Sequence, residues 1–175
     1  MAPDAADATL PFTALAGTTF GADFNPVVDR LRVVSGAGQN LRINVGTGDV
    51  ITDAPVAFAA PAVATAAYTR SFAGTTATQL LVIDVASRSL LLQNPPNDGV
   101  LSTVGRLDPL RDFDDVAGFD IAGGEDGLPL AALRPAGATQ PGLYRVDLVT
   151  GAATALGAIG PAGSVPLRGL AIRLQ

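Results

Sequence analysis

The sequence predicts an all-β chain built from repeated four-stranded antiparallel sheets, and three observations carry this prediction. One phrase recurs about every 50 residues, a spacing typical of stacked repeats; its copies are GADF at 21–24, AAYT at 66–69, GFDI at 118–121 and GLAI at 169–172. A second phrase accompanies three of these copies and ends in a turn, at 41–48, 81–88 and 144–151. Composition argues against long helices, because the chain has no Lys and Glu125 is its only Glu.

Each repeat predicts four strands in a fixed order. The first phrase is the first strand, and a poorly marked strand follows it. The second phrase is the third strand, which places Asn44, Asp84 and Asp147 at one equivalent position before a turn. A short apolar run that ends in glycine is the fourth strand, at 102–105 and 154–157. A unit of about 40 to 50 residues with four strands has the size of a propeller blade.

The whole pattern predicts β-propeller-like repeats, with about three blades plus split strands at the termini. We expect one domain over 8–175, with blades at about 18–60, 61–107 and 116–160. Residues 8–14 would be a last strand with nothing before it, and 167–173 a final inner strand with nothing after it. Residues 1–7 are expected to be a disordered start.

Missing residue types exclude much enzyme chemistry. The chain has no Cys and no His, which removes disulfides, thiolate nucleophiles, serine triads and nearly all transition-metal sites. A net charge of -5 argues against nucleic acid and anionic membranes as partners. No apolar run is long enough to span a membrane, and the start does not resemble a signal peptide. We expect a soluble protein without membrane insertion, whose export signal is absent from this chain.

Several longer motifs resemble one bacterial family. They are FNPVVDRLRVVSGAGQNLRIN at 24–44, AAYT at 66–69, LQNPPNDG at 92–99, LYRVDLVTGAATALGAIG at 143–160 and RGLAI at 168–172. They are similar to domain-of-unknown-function family 4394, over roughly residues 18 to 173. The resemblance implies a β-propeller fold and an extracytoplasmic or secreted protein. It implies no activity.

The number of repeats predicts self-association. Members of this family are longer, with further repeats ahead of the FNPxxDRLRVVS motif, which here begins at residue 24. Three blades cannot close a ring, because closed propellers need about four or more, and their outer faces would be left uncovered. We therefore expect a homodimer in which two copies build a six-bladed ring through apolar blade edges. The alternative is a fragment or a compact three-unit fold.

Two aspartates are candidates for a metal site. Asp23 and Asp120 hold the same place in the first-strand phrase, where the other copies have Tyr68 and Ala171. Because first strands line the channel of a propeller, the two carboxylates are expected to converge near its axis. They could bind a cation, and Ca²⁺ suits oxygen ligands best. The alternative, which we favour, is that each carboxylate caps a turn or accepts backbone amides from the next blade.

Three further features are weaker candidates. An acidic stretch at 112–126 lacks the spacing of a calcium loop and is typical of a solvated loop. The loop at 94–99 is expected to be rigid and exposed, with Asn94, Asn97 and Asp98 as possible binding residues, or to be only a hairpin connection. A set of polar residues on two strands could hold an anion, but alternate Arg residues are more typical of a solvent face paired with Asp: Arg30, Arg32, Gln39, Asn40 and Arg42.

Two classes of function remain open. The first is a non-catalytic extracytoplasmic binding or assembly module, with no catalytic residue and no cofactor. The second is a Ca²⁺-dependent propeller hydrolase of lactonase-like type, with acids at the channel mouth that polarise a carbonyl or activate water. That second class needs acids on several first strands, and only two of the four copies carry one. The sequence therefore favours the binding module.

Overall fold

The protein consists of three sheets. The computed structural model describes residues 1–7, 10–57, 62–108, 112–125, 127–161, 163 and 167–173, and only the backbone at 114–117. Within these ranges it has thirteen strands and no α-helix, so the all-β prediction is confirmed. No helix in the same ranges is long and apolar enough to cross a membrane.

Sheet I has five strands, which lie in the order β1-β5-β4-β3-β2. They are β1 (Ala2–Pro3), β2 (Phe20–Asn25), β3 (Arg30–Ser35), β4 (Asn40–Ile43) and β5 (Asp49–Thr52). Strands β2 to β5 form an antiparallel meander, and β1 pairs with β5 in parallel. The first turn of the meander is fixed locally, because Asn25 Oδ1 accepts the amides of Val27 at 2.9 Å and Val28 at 3.3 Å.

Sheets II and III are four-stranded antiparallel meanders in sequence order. Sheet II consists of β6 (Val63–Tyr68), β7 (Leu80–Asp84), β8 (Ser89–Gln93) and β9 (Leu101–Arg106), with one turn of 3-10 helix at Pro96–Asp98 between β8 and β9. Sheet III consists of β10 (Phe113–Ile121), β11 (Pro129–Pro135), β12 (Gly142–Val146) and β13 (Ala153–Ala158).

Sheet II is packed between the other two, which explains its nearly continuous apolar strands. Successive residues of β7 point to opposite faces of the sheet. Leu80 and Val82 join a cluster with Val34 of sheet I, whereas Leu81 and Ile83 join a cluster with residues of sheet III. The members of this second cluster from sheet III are Phe113, Phe119, Ile121, Ala131, Leu133, Tyr144 and Val146.

The other face of sheet I is covered by the N-terminal segment. Phe12 packs there against Val33, Leu41, Ile43 and Val50. Residues 1–7, for which we expected no fixed structure, are ordered by backbone pairing, since Ala2–Pro3 adds a strand to the edge of β5. The terminal strand expected at 8–14 is not formed at 10–14, because that segment covers a sheet face through Phe12; residues 8 and 9 lie outside the described ranges.

The strand order corrects one part of the predicted repeat. As predicted, the second phrase lies in β4 and β12, the third strands of the meanders in sheets I and III. The glycine-ended runs lie in β9 and β13, the fourth strands of sheets II and III. In sheet II, however, the second phrase begins in β7, which is the second strand, so Asp84 is not equivalent to Asn44 and Asp147. The reason is the long connection at 69–79, which occupies the place where a second strand was expected.

Candidate functional site

The first strands of the three sheets lie side by side. β2 packs on β6, and β6 packs on β10. The close approach depends on glycine, because a Cβ on Gly21 would overlap the backbone of Thr65 and Ala66. A Cβ on Gly118 would likewise overlap the backbone of Gly169 and Leu170. Segment 167–173 therefore lies against β10 as β6 lies against β2, although no strand is assigned to it.

Asp23 and Asp120 use the same hydrogen-bonding arrangement in their two strands. Asp23 Oδ1 accepts the amide of Phe24 at 2.7 Å, and Oδ2 accepts the amide of Tyr68 in the neighbouring sheet at 2.6 Å. Asp120 Oδ1 accepts the amide of Ile121 at 2.8 Å, and Oδ2 accepts the amide of Ile172 at 2.5 Å. These are the backbone contacts that the structural alternative predicted for the two carboxylates.

The same bonds correct the alignment of the fourth copy of the first-strand phrase. Ile172, and not Ala171, makes the contact to Asp120 that Tyr68 makes to Asp23. The backbone next to Gly118 is likewise that of 169 and 170, whereas the backbone next to Gly21 is that of 65 and 66. Segment 167–173 is therefore shifted by one residue relative to the sequence alignment. The alignment matched Gly169 with Gly21 and Gly118, and this match gave the wrong register.

The two carboxylates line one cleft of about 450 Å³ at the ends of these strands. Its apolar walls come from Phe24, Pro26, Phe72, Ala73, Ile121 and Ile172, and its polar lining from Asp23, Asn25, Asp29, Ser71 and Asp120. The loop at 69–79 contributes Ser71, Phe72 and Ala73, and the β2–β3 turn contributes Pro26 and Asp29. We call the space bounded by these residues the cleft.

Burial raises the pKa of Asp23 to about 6 from its ordinary value of 3.8. The two backbone amides that it accepts act in the opposite direction, and the negative charge of Asp120 raises the pKa further. No basic side chain is among the described residues that line the cleft. The cleft therefore combines apolar walls with uncompensated negative charge.

The candidate Ca²⁺ site has few ligands. Calcium takes six to eight oxygen ligands in proteins, and in the described part of the chain no three acidic, His or Cys residues form a group that could hold a metal ion. Asp23 and Asp120 reach the same cleft, and each of their oxygens accepts one backbone amide. The two carboxylates together have four oxygens, fewer than the six to eight ligands that Ca²⁺ takes.

The loop at 94–99 joins sheets I and II. Asn97 Oδ1 accepts a hydrogen bond from Arg32 Nη2 at 2.6 Å, and the Asn97 carbonyl accepts the amide of Ala54 at 3.1 Å. Ala57 continues this contact by donating to the Gly99 carbonyl at 2.8 Å. Asn94 and Asp98, the other two possible binding residues, are exposed and lie outside the cleft.

The Arg-rich strands of sheet I do not form a solvent face at Arg32, whose side chain is 2% exposed. Arg32 Nη1 donates to Asp53 at 2.6 Å and to Asn40 at 2.8 Å. Arg42 makes a bidentate pair with the same Asp53, at 2.7 and 2.8 Å, which raises the pKa of Arg42. The predicted pairing with Asp holds, but the predicted exposure is wrong for Arg32, because sheet II and the loop at 94–99 cover it. We call Arg32, Asn40, Arg42, Asp53, Gln93 and Asn97 the polar network.

Two acidic residues of the stretch 112–126 make exposed ion pairs with loops of sheet II, whereas Asp120 accepts backbone amides in the cleft. Asp112 pairs with Arg88 at 3.0 Å, and Glu125 pairs with Arg70 at 3.0 Å. Asp126 and the side chains of Asp114 and Asp115 lie outside the described part. The sequence did not single out Phe24, Phe72 or Asp53, since only the position of the 69–79 loop and the fold of sheet I bring them to these sites.

Comparisons with known proteins identify the family alone. The family model described as a domain of unknown function, DUF4394, matches residues 2–171. Neither the curated proteins nor the solved structures contain a match to this chain. The family resemblance of the sequence motifs is therefore confirmed, and the chain belongs to the DUF4394 family.

Proposed function

We propose that this chain is a non-catalytic binding module whose ligand occupies the cleft. One observation carries the proposal: Asp23 and Asp120, from different sheets, face one space of about 450 Å³ whose walls are mainly apolar. Concave, largely apolar sites with a few fixed polar groups are the usual form of small-molecule sites. Here the polar groups are fixed, because backbone amides hold both oxygens of each carboxylate.

The chemistry available in the cleft supports binding over catalysis. The chain contains no His, Cys or Lys, so carboxylates are the available general bases. Both deep carboxylates also join neighbouring segments of backbone, Asp23 to Tyr68 and Asp120 to Ile172. A residue that holds two segments together and must also transfer protons would change its structural bonds in every cycle.

The second candidate is the Ca²⁺-dependent hydrolase, which one observation favours. A carboxylate with a pKa near 6 in a cleft, as for Asp23, is a common feature of general acids and bases. We expect no hydrolysis of nitrophenyl esters or lactones above the buffer rate, with or without CaCl₂. Hydrolysis that needs Ca²⁺ and disappears in Asp120→Asn would replace the binding module by this candidate.

The binding proposal is tested by a fragment screen in solution. The amides of Tyr68 and Ile172 donate to the two carboxylates, so their NMR shifts should report a ligand in the cleft. We screen cationic, neutral and anionic fragments, and we expect some of them to change the NMR shifts of both amides together. Phe24→Ala, which removes a wall residue that is 45% exposed, should weaken these ligands without unfolding the protein. A screen in which no fragment moves either amide would contradict the proposal.

The propeller arrangement and self-association are also proposals. The adjacent first strands β2, β6 and β10 support blades arranged about one axis. Segment 167–173, which follows β10 in the same series, supports a further blade contributed by a second copy in a six-bladed ring. Light scattering at micromolar concentration should give twice the chain mass of 17.6 kDa. A stable monomer would contradict this assembly.

Export, which the family resemblance implies, is tested by fractionation of the cells that produce the protein.

A further inference from the structure

The charge in the cleft is one-sided. Its charged lining residues are Asp23, Asp29 and Asp120, from the β2 strand, the β2–β3 turn and β10. Three basic residues adjoin lining residues in the sequence: Arg30 after Asp29, Arg70 before Ser71 and Arg173 after Ile172. Arg30 Nη1 donates to the carbonyl of Asp29 at 2.9 Å. Arg70 pairs with Glu125 at 3.0 Å and stacks on Phe72, with its guanidinium 5.6 Å from the ring centroid. Arg173 is exposed and lines an adjoining cavity, which shares Ser71, Phe72, Ala73 and Ile172 with the cleft. Among the described residues that line the cleft, the three carboxylates therefore have no basic partner.

The deep carboxylates keep acceptor capacity toward the cleft. An ionised carboxylate has about four acceptor positions, and backbone amides use two of those on Asp23 and two of those on Asp120. Their orientation is fixed by these same bonds, so a donor that enters the cleft meets preorganised acceptors. The pKa of Asp23 is raised mainly by burial and further by the negative charge of Asp120, and a cation in this place would stabilise the charged carboxylate against both effects.

The lining of the cleft suits an organic cation better than a metal ion. A bare metal ion needs oxygen ligands on most sides, whereas six of the eleven described residues that line this cleft are apolar: Phe24, Pro26, Phe72, Ala73, Ile121 and Ile172. An organic cation matches both parts, because its N–H groups can donate to the carboxylates and its carbon body can cover the apolar walls. The ring of Phe24 can also attract a cationic group, whereas the ring of Phe72 already carries the guanidinium of Arg70.

We propose that the cleft binds a small organic cation, namely a primary or secondary ammonium group on an apolar or aromatic body. This inference rests on the proposed function, since it names the ligand class of the same cleft. The ammonium lies between Asp23 and Asp120, and the apolar body lies against Phe24 and Phe72.

The test compares a charged probe with a neutral one of nearly the same shape. Phenethylammonium and 2-phenylethanol are titrated at pH 7.5 while the Tyr68 and Ile172 amides are followed by NMR. We expect the ammonium to bind at least about tenfold more tightly, because hydrogen bonds between charged groups are stronger than those that a neutral hydroxyl makes. CaCl₂ alone is the third probe, and we expect it to leave the two amides unshifted at concentrations where the ammonium saturates them.

Lower pH and two substitutions sharpen the test. At pH 5, where Asp23 is largely protonated because its pKa is about 6, the preference for the ammonium should fall severalfold in the unaltered protein. Asp120→Asn should reduce the preference at pH 7.5. Asp29→Asn, at a rim residue whose φ of 48° asparagine also tolerates, keeps the deep hydrogen bonds and should cause a smaller reduction.

Different failures have different meanings. Equal binding of the alcohol and the ammonium would overturn the charge inference while the cleft remained a binding site. The same holds if fragments of another class move the Tyr68 and Ile172 amides and the ammonium does not. Shifts caused by Ca²⁺ but not by the ammonium would also overturn the inference, in favour of a metal site.

Discussion

The two interfaces of sheet II differ in chemistry. Between sheets I and II lies the polar network, in which Arg32 and Asp53 are both buried, beside an apolar cluster around Tyr68 and Leu91. Between sheets II and III the buried cluster consists of apolar and aromatic side chains. On its sheet III side, Phe113 of β10 meets Tyr144 of β12 edge to face at a centroid distance of 5.5 Å. The ion pairs at this second interface, such as Arg88 with Asp112, are exposed.

This difference indicates separate roles for the two interfaces. Apolar burial supplies stability in proportion to area and is tolerant of small shifts. A buried network of directional bonds adds less net stability, but it penalises any arrangement in which a partner is lost. The polar network therefore fixes where the loop at 94–99 meets sheet I, whereas the second interface supplies mainly hydrophobic stabilisation.

The largest effect is expected from breaking the polar network. Asp53→Ala leaves Arg32 buried without its carboxylate and should lower the free energy of unfolding by about 3 to 5 kcal/mol. Urea unfolding measures the change. The control is Glu125→Ala, which removes an ion pair whose carboxylate is 73% exposed and should cost less than about 1 kcal/mol. Similar values for the two variants would remove the distinction between buried and exposed pairs.

A cavity at the apolar interface should have a similar or slightly smaller effect. Leu90 is fully buried between sheets II and III, so Leu90→Ala should cost about 2 to 5 kcal/mol. Leu156→Ala, at an edge-strand residue that is 56% exposed, should change stability by less than about 0.5 kcal/mol. Added salt should alter neither value, and a strong salt dependence for Leu90→Ala would contradict a purely apolar role.

The pH dependence of Asp23 should follow from its folded-state pKa of about 6, against an ordinary 3.8. Because the folded state binds this proton more tightly, the contribution is present below pH 3.8 and is lost as pH rises through 6. Relative to Asp23→Asn, the unaltered protein should gain at most about 3 kcal/mol between pH 7.5 and pH 4. Denaturant unfolding at both pH values measures this, and an opposite sign would mean that Asp23 is stabilised in its charged form.

The smallest effect concerns the loop at 94–99. Asn97→Ala removes the acceptor of Arg32 Nη2 and should cost about 1 to 3 kcal/mol, because the donor is a buried charge. Asp98→Ala, at the exposed neighbouring position, should cost less than about 0.5 kcal/mol. Thermal unfolding of the two variants separates them. Equal costs would show that the loop is held by its backbone alone.

Much of the architecture follows from periodic sequence signals. The recurring first phrase located β2, β6 and β10, and the glycine-ended runs located β9 and β13, since these segments combine alternation with turn residues. The sequence could not show that the second phrase of sheet II lies in its second strand and not in its third, because Asp84 precedes a tight turn in either case. The N-terminal contacts were also missed, since pairing of Ala2–Pro3 with β5 uses backbone groups and carries no side-chain pattern.

The site was predictable only in part. Equivalence in the repeat brought Asp23 and Asp120 forward, and they line one cleft. Phe72 is in a loop without periodicity, and Asp53 follows a strand at a position that no other repeat marks. The burial of Arg32 depends on Asn97, which is 65 residues away in sequence. Such long-range partners are set by how sheets stack, which local patterns do not encode.

The first strands of the three sheets alternate in the residue that they carry at one equivalent position: Asp23 in β2, Tyr68 in β6 and Asp120 in β10. Asp23 joins β2 to β6 through the amide of Tyr68, and Asp120 joins β10 to the segment 167–173 through the amide of Ile172. Tyr68 has the equivalent position in β6, and its hydroxyl accepts a hydrogen bond from Arg32 Nε at 3.4 Å. Because β6 carries Tyr68 where β2 and β10 carry an aspartate, β6 has no carboxylate at this position that could join it to β10 as Asp23 joins β2 to β6.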